Sequence, residues 1–121
     1  MPRVVHFEIG ADEPQRAVKF YSDCFGWTMQ KWEAPEDYWL MHTGPDKEPG
    51  INGEIMKRMN SFSTINTIDV PNLDEALARV AKAGGKAITE KQTIPGVGIF
   101  AYCQDTEGNL FGVIQGERPM P

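Results

Sequence analysis

One order of elements occurs twice along this chain of 121 residues, and it limits the folds that the chain can adopt. The alternation and spacing of apolar residues predict a strand, a helix and three strands, after which the same order starts again. The predicted elements are strand 3–10, a helix with Asp12 as its N-cap that ends at Gly26, strands 27–34, 38–43 and 51–56, strand 64–70, a helix that opens at residues 71–75 and ends at Gly84, and strands 86–92, 97–104 and 110–115. This pattern predicts an α+β fold of two βαβββ modules.

A shift of 59 residues aligns the two copies without a gap. It places Ile9 on Ile68 and Gly53 on Gly112. We therefore expect one domain over residues 1–121, with module one at about 3–58 and module two at about 63–116.

Local signals support both helices. Asp12 followed by Pro14 is typical of a helix start, and Gly26 of a helix end. Asn72 and Glu75 have the spacing of a capping box at the start of the second helix.

Charge and composition exclude several classes of protein. The formal net charge is −5 and no run of lysine or arginine occurs, which argues against nucleic-acid and anionic membrane partners. No segment approaches the roughly 18 apolar residues of a membrane span, and the N-terminus lacks a signal-peptide pattern, so we expect a cytoplasmic protein. Cys24 and Cys103 lie too far apart in sequence to indicate a zinc ribbon, and we expect both thiols to be buried.

Two segments resemble a known superfamily. They are Phe20-Tyr21-Ser22-Asp23-Cys24-Phe25-Gly26-Trp27, which follows the strand containing His6, and Asp105-Thr106-Glu107-Gly108-Asn109, which precedes the last strand. Together with the repeat, they resemble the vicinal-oxygen-chelate superfamily, which includes glyoxalase I, bleomycin-resistance proteins and extradiol dioxygenases. Thr106 replaces the usual proline of the second motif. The resemblance implies a curled mixed sheet around a shared cavity, and it implies a homodimer.

The resemblance also implies four metal-ligand positions, one in the first and one in the last strand of each module. On this chain they fall on His6, Gly53, Ile65 and Gly112. A catalytic divalent ion needs about three nitrogen, oxygen or sulfur ligands, and only His6 supplies one. Glu54 would rescue a ligand if the strand register slipped by one, but such a slip would turn the strand's apolar face outward. We therefore expect no cofactor, with nickel, zinc, manganese or iron as the alternative.

His6 is the first candidate for chemistry, as a general base or a hydrogen-bonding group. The alternative is a leftover ligand position with one structural hydrogen bond. His42 alternates with Met41 and is expected to point away from the cavity. Glu8 and Glu54 are expected to be solvated surface charges.

A cavity with aromatic walls and a floor of small residues is the second expectation. Its predicted ligand-binding residues are His6, Trp39, Met41, Gly53, Phe100, Tyr102 and Gly112. Small-molecule sites are commonly built in this way. The alternative is that the aromatic stripe is ordinary core.

Three functions remain open on the sequence. The first is a glyoxalase- or bleomycin-resistance-like protein that binds or transforms a small molecule around His6 without a metal. The second is a metal-dependent lyase, similar to lactoylglutathione lyase, or a dioxygenase that recruits Glu54 and other ligands. The third is a non-enzymatic dimeric interaction module.

Overall fold

The computed structural model describes residues 2–32, 37–58 and 62–117. Its elements are β1 (Arg3–Ala11), α1 (Pro14–Phe25), β2 (Thr28–Trp32), β3 (Tyr38–His42), β4 (Asn52–Lys57), β5 (Thr64–Asp69), α2 (Leu73–Lys82), β6 (Lys86–Ala87), β7 (Gln92–Ile94), β8 (Gly98–Gln104) and β9 (Leu110–Gly116). This order confirms the α+β class and the repeated βαβββ pattern. The predicted strand 86–92 is the exception, because the structure forms the short β6 and β7 there.

The chain divides into two compact units, His6–Ile65 and Met1–Val5 together with Asn66–Pro121. In the first unit the strand order is β2-β3-β4-β1, with β1 parallel to β4 and the other pairs antiparallel. Its core is formed by residues from one face of the sheet and from α1. The buried members are Ala11, Trp39, Met41 and Ile55, and Phe7, Ile9, Ala17, Val18, Tyr21, Trp27 and Met29 pack against them.

Helix α1 begins one residue later than the sequence suggests. Glu13 is the N-cap, Pro14 opens the helix, and no side chain caps the first turn. Asp12, the predicted cap, instead accepts a hydrogen bond from Arg58 Nε at 3.0 Å. The helix ends where predicted, because Gly26 has φ 72° and its N–H donates to the Ser22 carbonyl. A left-handed residue at this place favours glycine.

In the second unit the strand order is β5-β9-β8-β6, and β7 also pairs with β8. Strand β5 is parallel to β9, which repeats the β1–β4 relation of the first unit. Asn72 caps α2 as predicted, because its side chain accepts a hydrogen bond from the Glu75 N–H at 2.9 Å. The core contains Val70, Leu73, Cys103 and Val113.

Strand pairing shows that a single offset does not hold throughout the repeat. Phe7 pairs with Gly53 in the first unit, and Asn66 pairs with Phe111 in the second. Phe7 and Asn66 are 59 residues apart, whereas Gly53 and Phe111 are 58 apart. The chain between the paired strands is thus one residue shorter in the second unit. It follows that Glu54, and not Gly53, corresponds to Gly112.

The offset between the two modules is larger still at their third strands, β3 and β8. Met41 pairs with Gly53, and Cys103 pairs with Phe111, so Met41 corresponds to Cys103. Both side chains are fully buried. The sequence alignment had matched Met41 with Phe100, which lies on the other face of its strand.

The two cysteines differ in exposure. Cys103 is buried as predicted, but Cys24 is exposed near the end of α1, contrary to expectation. The end of the predicted strand 27–34, at residues 33 and 34, lies outside the described residues. Of the two described helices, neither has the length and apolar character that crossing a bilayer requires.

Candidate functional site

The sheet of the first unit has a second face, opposite its core, which we call the polar face. Side chains alternate between the two faces of a strand. Because Trp39, Met41 and Ile55 lie in the core, their neighbours along the strands lie on the polar face. The members of the polar face are His6 and Glu8 of β1, Thr28, Gln30 and Trp32 of β2, Tyr38, Leu40 and His42 of β3, and Asn52, Glu54 and Met56 of β4.

His6 and Glu54 meet on this face. The distance from His6 Nε2 to Glu54 Oε2 is 3.8 Å, and their side chains are 32% and 17% exposed. That distance allows an ion pair when the imidazole is protonated, but it is longer than a hydrogen bond. Within the described part of the chain, neither side chain forms a hydrogen bond. Both groups are therefore able to bind an additional polar group.

Glu8 lies beside this pair. It is the residue directly opposite Glu54 in the parallel β1–β4 ladder, so the two carboxylates project from neighbouring strands on the same face. Glu8 is only 4% exposed, and Glu54 is partly buried. The expectation that both are solvated surface charges is therefore wrong. Burial of a carboxylate costs free energy unless other groups stabilise it, and such positions are often functional.

The structure places Trp39 and Met41 on the opposite side of the sheet from His6 and Glu54. Both are buried in the core against α1, which is the alternative that the sequence left open for the aromatic stripe. His42, which was expected to point away from the site, instead lies on the polar face with Leu40. A shift by one residue exchanges the two faces of a strand, and this accounts for both differences.

Gly53 and Gly112 do not form an open floor. A Cβ atom on Gly53 would lie 2.9 Å from the Phe7 ring and 2.5 Å from the Phe7 carbonyl oxygen. A Cβ atom on Gly112 would lie 2.6 Å from the Phe100 ring. The glycines thus allow aromatic rings to lie against the backbone. The expectation that Gly53 and Gly112 form the floor of an open cavity is therefore wrong.

Phe100 and Tyr102 form an edge-to-face pair in the second unit, with ring centroids 4.6 Å apart. Phe100 is buried and Tyr102 is partly buried. The buried Thr67 lies near Gly112, because a Cβ atom on this glycine would be 3.1 Å from Thr67 Oγ1. Ile65, one of the four predicted ligand positions, is buried and has no donor atom.

Two surface depressions also occur in the first unit, at the start of α1. One has a volume of about 430 Å³ and includes Asp12, Arg16 and Arg58. The other, of about 780 Å³, includes Arg16, Trp39 and Lys57. Arg58 is paired with Asp12, and Arg16 with Glu13, so these arginines already have counter-charges. Neither depression includes His6 or Glu54, and we place the candidate site on the polar face.

Comparison with known proteins decides the family. The family model of the Glyoxalase/Bleomycin resistance protein/Dioxygenase superfamily matches residues 3–113. The chain belongs to this superfamily. A "Glyoxylase-like domain-containing protein" from Didymella fabae is 32% identical over 120 residues, which cover 88% of each chain. The "Putative glyoxylase CFP32" of Mycobacterium bovis is 31% identical over 94% of this chain, but the chain spans only 43% of that protein's length.

Solved structures of the superfamily share the fold. Methylmalonyl-CoA epimerase from Mycobacterium tuberculosis has a TM-score of 0.71 at 12% identity, covering 95% of this chain and 88% of its own. A hypothetical protein from Bacillus halodurans has a TM-score of 0.74 at 13% identity, covering 99% and 98%. At such low identity, these matches show the fold alone.

The superfamily resemblance implied a divalent metal, and the donor atoms of the described residues do not fit one. His6 and Glu54 supply one nitrogen and one carboxylate, whereas Ile65 and Gly112 supply no donor atom. In residues 2–32, 37–58 and 62–117, no group of three or more His, Cys, Asp or Glu side chains is arranged to hold a metal ion. A catalytic site commonly uses three protein ligands.

The sequence identified His6 but underestimated Glu54 and Glu8. It also missed Tyr38, whose ring stacks on that of Trp32 at 6.4 Å between centroids with an angle of 13°. Alternation along β3 places Tyr38 on the face opposite Trp39 and Met41, but the sequence alone does not show which of the two faces is the core.

Proposed function

We propose that this chain binds or transforms a small molecule on the polar face, at His6 and Glu54, without a metal ion. The observation that carries the proposal is the 3.8 Å approach of His6 Nε2 and Glu54 Oε2. Both groups are partly exposed, so a ligand can reach them, and partly buried, so its polar interactions are less screened by water. The buried Glu8 adds a third ionisable group on the same face.

The pair has the groups that proton transfer requires. Imidazole and carboxylate side chains are common general acids and bases, and each must lie within hydrogen-bonding reach of the substrate. A substrate hydroxyl or acidic C–H bound beside His6 Nε2 would give its proton to His6 or Glu54, and the same group would return it. Binding without reaction would use these two side chains as hydrogen-bonding partners.

The relatives support chemistry on small molecules. Two of them carry glyoxylase names, and the similar solved structures include methylmalonyl-CoA epimerases. A metal-dependent lyase or dioxygenase would need a ligand in addition to His6 and Glu54. The donor atoms of the described residues therefore favour the metal-independent reaction.

An interaction module is the second candidate. Phe20 and Phe25 are 54% and 62% exposed on α1, and exposed aromatic groups of this kind favour protein contacts. We propose a homodimer that uses this surface.

Light scattering of the wild type and of the double variant Phe20→Ser/Phe25→Ser tests the proposed homodimer, because a dimeric wild type and a monomeric variant are expected. A monomeric wild type would contradict the dimer.

A thermal-shift screen of small aromatic and polar compounds tests the proposed site. Compounds that bind there are expected to raise the Tm of the wild type, because a ligand of the folded state stabilises it. The shift should disappear in His6→Ala and Glu54→Gln. It should persist in Asp23→Asn, which removes an exposed carboxylate paired with Lys19 on α1. Equal shifts in all four proteins would contradict the site.

A further inference from the structure

We infer that the polar face selects a small organic cation, such as a protonated or quaternary amine. The inference rests on the proposed function and adds the chemical class of the ligand. It follows from which charged side chains lie on this face and from the position of Tyr38, a diagonal neighbour of Glu54 on which Trp32 stacks.

The charged side chains of the two faces differ in sign. Glu8 and Glu54 bring two carboxylates to the polar face. No lysine or arginine is among its described residues. The basic residues of the same strands lie on the core side, where Lys57 pairs with Ala11, and Lys31 Nζ lies 5.5 Å from the centre of the Trp39 ring. Among its described residues, a cation approaching the polar face therefore meets two carboxylates, and the basic groups beside them are the imidazoles of His6 and His42.

One aromatic ring of the polar face lies near Glu54. Tyr38 pairs with Met56, next but one to Glu54 on β4, so it is a diagonal neighbour of Glu54 across the antiparallel ladder. Such neighbours are roughly 7–8 Å apart. Trp32 is exposed and stacks on Tyr38. An ammonium group between Glu54 and the Tyr38 ring would gain both an ion pair and a cation–π contact, and Trp32 extends the aromatic surface beside Tyr38.

The same charges disfavour anionic ligands. One similar solved structure is described as methylmalonyl-CoA epimerase in complex with methylmalonyl-CoA, whose phosphates make the ligand strongly anionic. Phosphate binding commonly uses arginine or lysine. The described residues of the polar face provide neither, so similarity in fold does not extend to this ligand class.

Three probes of nearly equal shape separate the effect of ligand charge on binding from the effect of ligand shape. Choline is a cation, 3,3-dimethylbutanol is its neutral counterpart, and 3,3-dimethylbutanoate is an anion. Each is titrated into ¹⁵N-labelled full-length chain, and the shifts of the backbone amides of His6, Glu8 and Glu54 and of the Trp32 indole are followed. We expect choline to bind at least about fivefold more tightly than the alcohol, the scale of one cation–π or ion-pair contact. The anion should bind least.

Variants assign the preference to named groups. Glu54→Gln and Trp32→Leu should each reduce the preference for choline over the alcohol, while Asp23→Asn should keep it. If the alcohol or the anion shifts the same amides at equal or lower concentration, the cation preference is overturned while the small-molecule site stands. If no probe shifts them, both the preference and the proposed site fail.

Discussion

Gly53 and Gly112 each make room for the ring of a phenylalanine on a neighbouring strand. At Gly53 the obstacles to a side chain include the Phe7 carbonyl oxygen at 2.5 Å, which cannot move without its strand. At Gly112 the nearest obstacles are atoms of the Phe100 ring. Both positions therefore favour glycine, but for different reasons.

Substitution by alanine should separate the two cases. Overpacking usually costs about 1–3 kcal/mol, and we expect Gly112→Ala to lie in this range. Gly53→Ala should cost more, because backbone atoms must shift. Urea unfolding measures both, with Gly44→Ala as the control, since its Cβ would lie 3.7 Å from the nearest neighbour, Glu48 Oε2. Losses at Gly53 and Gly112 no larger than at Gly44 would contradict this packing.

Single residues also show which parts of the candidate site could be predicted from the sequence. His6 could be identified because the resemblance places a ligand on the first strand. Glu54 could not be assigned to the candidate site, because its placement depends on one residue of chain length between β1 and β4. A strand's side-chain period is two, so an error of one residue moves a side chain to the other face.

At the scale of the elements, α1 and α2 begin in different ways. Asn72 accepts a hydrogen bond from the Glu75 N–H, whereas no side-chain hydrogen bond caps α1 at Glu13. We expect Asn72→Ala to cost about 1 kcal/mol of unfolding free energy, the typical loss of an N-cap. Glu13→Ala should cost less. Thermal unfolding of both variants measures the difference, and equal losses would show that the cap of α2 does not stabilise it.

The turn between β8 and β9 is held by one carboxylate. Asp105 accepts hydrogen bonds from the N–H groups of Asn109 and Glu107, at 2.9 and 2.8 Å. The hydrogen bond from the Asn109 backbone is the largest cause that holds the pKa of Asp105 below its usual value of 3.8. These hydrogen bonds to a charged acceptor stabilise the turn at residues 105–109.

This turn predicts a pH dependence. A pKa that is lower in the folded state stabilises the fold above the unfolded value near 3.8, and the contribution is lost as the pH falls through the folded value. Acidification below about 4 should therefore reduce stability, and less so in Asp105→Asn than in the wild type. Chemical unfolding between pH 5 and 3 measures this, with Asp46→Asn as the control. Parallel pH profiles for wild type and Asp105→Asn would contradict it.

The order of elements was predictable because amphipathic periodicity, glycine helix ends and turn residues are local signals. The division of residues 86–92 into β6 and β7 was not, because both pair with β8 and this pairing is non-local. The faces of β3 and β4 were not predictable for the same reason. Their orientation follows from the Leu40–Glu54 and Phe7–Gly53 pairings.

For the molecule as a whole, the two thiols report on folding. Cys24 is exposed and Cys103 is fully buried, and burial raises the pKa of the Cys103 thiol. A thiol reacts as its thiolate, so about one equivalent of a disulfide reagent should react rapidly with the native protein. Cys103 should react only as the chain unfolds. Cys24→Ser should abolish the rapid phase, and rapid loss of both thiols in the wild type would contradict the burial of Cys103.

Metal stoichiometry tests most directly whether the site at His6 and Glu54 works without a metal ion. Untagged protein is incubated separately with nickel, zinc, manganese or iron(II), dialysed without chelator and assayed by elemental mass spectrometry. No three His, Cys, Asp or Glu side chains among the described residues are arranged to hold a metal ion. Because a stable site needs about three ligands, we expect less than about 0.1 equivalent of each metal. About one equivalent in the wild type, lost in both His6→Ala and Glu54→Gln, would contradict the metal-independent site and favour a metal-dependent lyase or dioxygenase.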